Sequence, residues 1–113
     1  MLNLSLRQEY FDAMKIGLKT VEGRVNSTKF KDCQLGDVIS FTCTSTNNVI
    51  LCTITAITFH EGFYGMLQAH GVENMLPGVM SLDQGVEIYE SFPGFKDNVK
   101  IHGAIAISIK KMN

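Results

Sequence analysis

The run Val49-Ile50-Leu51-Cys52-Thr53-Ile54-Thr55-Ala56-Ile57-Thr58-Phe59 limits the fold more than any other part of this chain. Apolar residues occupy both parities, with Ile50, Cys52, Ile54 and Ala56 on one and Val49, Leu51 and Ile57 on the other. β-Branched residues at this density favour extended backbone, because their side chains fit a pleated surface better than a helix. A strand that is apolar on both sides must be covered on both sides. The run therefore predicts a central strand, or one that curves around the corner of a barrel. Asn47-Asn48 supplies a hairpin turn just before it, and Gly36-Asp37 opens the preceding strand over Val38 to Thr44.

The rest of the chain alternates short strands and short helices. Residues 2–6 read as a strand with Leu2, Leu4 and Leu6 on its buried face. From Arg7 to Ile16 the spacing of Tyr10, Phe11, Met14 and Ile16 fits one helical face, and Gly17 suits a left-handed C-terminal cap. Residues 26–34 read as a loop with Lys29 and Lys31 exposed. A helix is expected over residues 62–69, and another over residues 82–89 with Ser81 as its N-cap. Leu76-Pro77-Gly78 reads as a turn, residues 91–95 as irregular, and residues 103–109 as a last strand. The pattern amounts to about five strands and three short helices without a βαβ rhythm, an α+β barrel-like sheet in a single domain over residues 1–113. Leu4, Ile54, Ile105 and Ile107 are expected in one core, with the first and last strands close together.

The densest chemistry lies in Gly17-Leu18-Lys19-Thr20-Val21-Glu22-Gly23-Arg24. In a strand, Thr20, Glu22 and Arg24 share a face, and Lys19 stands at the strand's mouth on the other parity. Gly23 permits a bulge or close backbone approach. Arg24 can grip a phosphate or base edge through its planar fork, or pair with Glu22 or Glu73. Lys19 can bind a phosphate, act as a base if desolvated, or simply order the strand through Glu22.

Read as GxKxxExR, this stretch resembles the signature of ASCH domains, small relatives of PUA-like RNA-binding domains. The resemblance extends through Tyr10–Ile16, Leu35-Gly36-Asp37, Phe63-Tyr64-Gly65-Met66-Leu67, Leu76-Pro77-Gly78 and Gly103–Ile107. It implies a small PUA-like β-barrel and RNA, a nucleotide or a modified nucleoside as ligand. Some members that resemble this chain hydrolyse N-acetylated cytidine with a lysine, a threonine and a glutamate. Lys19 matches the lysine, and Glu73 is the candidate glutamate because His70-x-x-Glu73-Asn74-Met75 resembles its surroundings. The threonine's position, three after the lysine, holds Glu22. The expected ligand-binding set is thus Lys19, Glu22, Arg24 and Glu73 in one cleft, with Lys19, Glu22 and Glu73 as catalytic candidates if the chain is a hydrolase of a modified nucleoside or single-stranded RNA. The resemblance also admits a protein-interaction module in transcription or translation regulation.

Composition narrows the classes further. The net charge of −1 hides a segregation: six of ten basic residues precede residue 32, four follow residue 95, and seven acidic residues lie between. Pairing of the terminal strands would merge the basic ends into one face suited to phosphate. Cys33, Cys43 and Cys52 form no CxxC pair, and His60, His70 and His102 lack metal spacing, so no metal or other cofactor is expected. Tyr10, Tyr64 and Tyr89 can stack a base or pack the core. No apolar run reaches the roughly 18 residues of a membrane span, and free thiols suit the cytoplasm.

Overall fold

The computed structural model describes residues 1–112. The long apolar run forms β4 (Val49–His60), the middle strand of a curled five-stranded sheet. Its first half pairs with β3 (Val38–Cys43) through Thr53, and its second half pairs only with β5 (Ala104–Lys111). Between the halves the register shifts at Ile54/Ala56, which leaves Thr55 as an extra residue. Such a bulge sharpens the twist, so β4 turns the corner between two parts of the sheet. The extra residue switches the parity of the strand, so Cys52 and Ile54 before the bulge and Ile57 after it face the same core, while Val49 and Leu51 are exposed rather than covered as the sequence predicts.

β1 (Leu2–Leu6) and β2 (Val21–Val25) complete the order β1-β3-β4-β5-β2. β1 runs parallel to β3, and every other pairing is antiparallel. The first and last strands, β1 and β5, therefore do not pair, which a merged basic face would require. β1 and β2 are the two edges, and β5 is held between β4 and β2. The basic ends meet only locally, where Lys111 Nζ donates to the Lys15 carbonyl at 2.9 Å.

β5 explains how one sheet serves two cores. Ile105 and Ile107 face the concave side with Leu4, Phe41 and Ile54, closed at one end by Phe11 and Met14 of α1 (Gln8–Lys15). Ala104 and Ala106 face the other way, where their small side chains let helices approach closely. That second layer contains α2 (Phe63–His70), α3 (Val72–Met75), α4 (Leu82–Ser91) and α5 (Phe95–His102), packed through Met66, Leu67, Met75, Tyr89 and Val99. Each fully buried Ile, Leu or Phe contributes about 1.5–3 kcal/mol. The expected common core of Leu4, Ile54, Ile105 and Ile107 is present.

Local chemistry sets several boundaries. Gly17, at φ 86°, ends α1: its N–H donates to Met14 O, and the Leu18 N–H donates to Ala13 O, the paired bonds of a Schellman cap. Ser81 Oγ accepts from the Gln84 N–H and opens α4. Ile16 lies beyond α1 and is exposed rather than packed. The turn α3 and the helix α5 are additional to the three helices expected, and a 3-10 turn spans Thr28–Phe30 within the expected loop.

Candidate functional site

Where a closed barrel would join β1 to β2, no ladder forms, and side chains bridge the seam instead. Arg24 Nη2 donates to the Ser5 carbonyl of β1 at 2.6 Å. Arg24 Nε and Nη2 each lie 2.9 Å from Glu22 Oε2. The other carboxylate oxygen, Oε1, lies 3.1 Å from Lys19 Nζ. Glu22 and Arg24 reach the seam together because alternate residues of β2 share a face, here the face of Ile105 and Ile107 opposite them on β5.

Lys19 is only 2% exposed. Its ammonium also donates to the carbonyls of Val21 at 2.8 Å and Met75 at 2.7 Å. With Glu22 these make three acceptors for three N–H groups, which is the full capacity of a lysine. Burial pushes the Lys19 pKa down, and Glu22 offsets this only in part. The ammonium is nevertheless the form that satisfies all three acceptors. Burial pushes the Glu22 carboxyl up, but the Lys19 and Arg24 charges and hydrogen bonds outweigh it and hold Glu22 below its ordinary value.

α3 supplies more than the Met75 carbonyl. The Thr20 N–H donates to Asn74 O at 2.9 Å, so residues 19–20 cap the orphan carbonyls at the end of that turn. The segment around residue 74 thus folds against the motif, but it delivers backbone oxygens. Glu73 itself is exposed and does not line the cleft. The structure brings Lys19, Glu22 and Arg24 together and leaves Glu73 outside.

Beside this trio lies a cleft of about 190 Å³. Tyr10, Tyr89, Phe92 and Phe95 give it aromatic walls, and Ser5, Arg7 and Leu76 complete much of its rim. Arg7 sits over the Phe92 ring, 4.7 Å from its centroid. Three cations, Arg7, Lys19 and Arg24, therefore line the cleft against one carboxylate, Glu22. Tyr89 packs its ring 5.1 Å from Phe63 and edge-on to Phe92. Its hydroxyl is buried without a well-formed hydrogen bond among the described residues, and the Gly23 backbone beside it acts on it only as a weak donor that lowers its pKa. Burial, with Glu22 nearby, pushes the Tyr89 pKa well above its ordinary value, so the hydroxyl keeps its proton.

Gly23 is required by packing. A Cβ there would lie 2.6 Å from Met66 Cε, 2.7 Å from the Tyr89 hydroxyl and 2.8 Å from Met75 Cε. The hydrogen bonds from Ile109 N to Thr20 O and from Asn26 N to Gly103 O assign the even residues of β2 to the β5 ladder. The N–H and C=O of Gly23 consequently point to the open seam, where Gly23 lines the cleft.

Sequence reasoning did not single out Ser5, Arg7 or Phe92 as site residues. It left Tyr89 undecided between core and ligand, and the structure packs Tyr89 in the core while the residue also lines the cleft. Tyr64 is exposed elsewhere on α2. Cys33, Cys43 and Cys52 are free. No group of three or more His, Cys, Asp or Glu is arranged to hold a metal among the described residues, and none of their helices is long and apolar enough to cross a membrane.

A curled five-stranded sheet with helices over one face defines a small PUA-like α+β domain. The ASCH domain family model matches residues 4–113, and the chain belongs to that family. The crystal structure of the hypothetical protein PH0355 is similar at 32% identity over 98% of both chains, with a TM-score of 0.88. The solution structure of protein PF0455 from Pyrococcus furiosus is 31% identical over 99% of this chain and 97% of that one, with a TM-score of 0.78. ASCH from Zymomonas mobilis shares the fold at 20% identity, with a TM-score of 0.65 over 96% of this chain and 65% of its own. No curated protein matches the chain. The family's fold is consistent with binding a nucleic acid or a nucleotide.

Proposed function

We propose that this protein is a binding module for RNA or its components, which takes one base or nucleoside into the cleft between the β1–β2 seam and the α4–α5 segment. The observation that carries this reading is the Tyr89 hydroxyl, buried and unpaired beside the cleft. Leaving such a group unsatisfied costs about 1–3 kcal/mol, and a ligand atom that pairs with it recovers that cost. The cleft, at about 190 Å³, is smaller than the ~300–1,000 Å³ typical of pockets for larger ligands, which favours a single ring system. Aromatic walls suit a planar base, Glu22 can accept from its amino or imino groups, and Arg7 and Arg24 favour an adjacent phosphate.

Catalysis is the less supported use of the same residues. A Lys19 base would have to surrender hydrogen bonds that now satisfy every ammonium proton, and the exposed Glu73 lies outside the cleft. The reading assigns the activity to the cytoplasm, where three free thiols persist.

The test is a thermal-shift and titration screen against the four ribonucleosides, their monophosphates, acetylcytidine and short RNA oligomers. At least one should raise the melting temperature by mass action. Tyr89→Phe should raise the melting temperature of the ligand-free protein yet weaken binding about tenfold, since one lost hydrogen bond of ~1.4 kcal/mol is tenfold in affinity. Absence of any stabilising nucleic-acid component, or equal affinity in Tyr89→Phe, overturns the reading. Acetylcytidine turnover that disappears in a folded Lys19→Ala variant would establish the hydrolase instead.

A further inference from the structure

The second half of β4 has a bare edge. β3 accompanies β4 only as far as Thr53, and the last contacts on that side are the bonds from Ile54 N to Asp37 O and from Gly36 N to Ile54 O. Beyond the bulge, Ala56, Thr58 and His60 pair with Ser108, Ala106 and Ala104 of β5. Because odd residues of β5 serve β2, even ones serve β4, which assigns the N–H and C=O groups of Ala56, Thr58 and His60 to that ladder. The N–H and C=O groups of Ile57 and Phe59 therefore face outward on the opposite edge, and none of the four has a partner among the described residues.

This edge lacks the protection usual in folded proteins. Thr55 to His60 contains no Lys, Glu or Pro, and Phe59 is 65% exposed. Natural edge strands blunt such sites with charge, proline or a covering segment. A groove of about 760 Å³ runs along the edge instead, with Thr55, Ile57 and Phe59 on one side and the segment from Asn26 to Leu35 on the other. The groove occupies the lane that β3 vacates.

We infer that the Thr55–Phe59 edge of β4 accepts an extended peptide segment of a partner protein as an added strand, with acidic side chains spaced between apolar ones. Four outward backbone groups on alternate residues match an extended backbone and no compact ligand. At about 3.3 Å per residue, Thr55 to Phe59 spans roughly five residues of added strand. Alternate apolar side chains of the incoming strand meet Ile57 and Phe59. The charged or titratable lining consists of Lys31, His102 and the Cys33 thiol, with no carboxylate, so acidic residues are the complementary choice. The surface is separate from the cleft between β1 and β2, and the two share no lining residue.

The experiment titrates the full chain with eight-residue peptides that alternate Glu with a randomised Val, Ile, Leu or Phe, and follows backbone amides by NMR. Binding should slow exchange of the Ile57 and Phe59 amides at least tenfold and leave the Gly23 amide unchanged. Phe59→Pro removes an outward N–H without touching the β5 ladder, and it should cut affinity at least tenfold. N-methylation of alternate peptide amides should do the same, which keeps the test valid if the proline variant unfolds. Phe59→Glu, which sets a carboxylate against the acidic strand, should also abolish binding without altering the melting temperature by more than a few degrees. Absence of binding at millimolar peptide, binding that survives N-methylation, or protection mapped away from residues 55–59 overturns the inference. A dimer in solution that Phe59→Glu converts to monomer also overturns it, since a second copy would then be the natural cover of this edge.

Discussion

Replacing Lys19 by Met tests whether this lysine is a strut or a reactive group. Met fills similar space but cannot donate, so the carbonyls of Val21 and Met75 lose a partner and Glu22 retains only Arg24. Breaking a buried ion pair from one side costs about 3–5 kcal/mol. Two under-satisfied carbonyls add on the order of 1–3 kcal/mol each, and the apolar side chain gains back roughly 2 kcal/mol. These contributions overlap, and a net loss of about 4 kcal/mol is expected. At roughly 4 °C per kcal/mol for a domain of this size, the melting temperature should fall by about 16 °C. Urea denaturation followed by circular dichroism measures the loss directly. Lys96→Met, at an exposed position, should stay within about 0.5 kcal/mol of wild type. A ligand-facing reactive lysine predicts the opposite pattern, because reactive groups are commonly held at a cost to stability. A loss below about 1 kcal/mol for Lys19→Met would refute the strut and return Lys19 to catalysis.

Two further outcomes follow from the same geometry. Glu22 has a pKa held below its ordinary 4.5, so its stabilising contribution is present above that value and is lost as pH falls through the lower folded-state pKa. The stability gap between wild type and Glu22→Gln, measured by denaturation from pH 7 to 3, should therefore be flat above about pH 5 and shrink below it. Gly23→Ala should destabilise by about 1–3 kcal/mol in urea, because the added methyl meets two methionine ends and a tyrosine held between Phe63 and Phe92.

Features written in local chemistry were legible before the structure. The β-branched density of β4, the Gly17 cap, the Ser81 N-cap and the turn at Asn47, which adopts φ 63°, each depend on a few neighbouring residues. Strand order was not legible. Apolar patterning says which face of β1 is buried but not which edge it joins, and β1 chose β3 over β5. α5 was hidden because Val99 is its only buried residue, while Ile101, the position that would mimic a second apolar row, is exposed. Within the site, strand parity places Glu22 and Arg24 side by side. The other contributors come from β1, α1 and the α4–α5 segment, whose meeting depends on topology. Glu73 lies in a segment that does reach the motif, but the end of a helical turn presents carbonyls along its axis, and those met Lys19 and Thr20.

The seam between β1 and β2 shows why binding and closure share residues. A hydrogen-bonded closure would have consumed the outward groups of Val21, Gly23 and Ser5. Instead Lys19 takes the Val21 carbonyl, Arg24 takes the Ser5 carbonyl, and Glu22 holds both cations, which leaves Gly23 and the cleft open. Arg24→Lys separates the two duties. An ammonium can pair with Glu22, but it lacks the planar fork that reaches Glu22 and Ser5 together. Losing a hydrogen bond from a charged donor costs about 1.5–3 kcal/mol, here concentrated at β1. Amide exchange in β1 should accelerate more than tenfold in Arg24→Lys, while the β4–β5 ladder, buried between both cores, should change little. Equal acceleration in β1 and β5 would mean that Arg24 supports the whole fold rather than the seam, and the account of closure by side chains would fail.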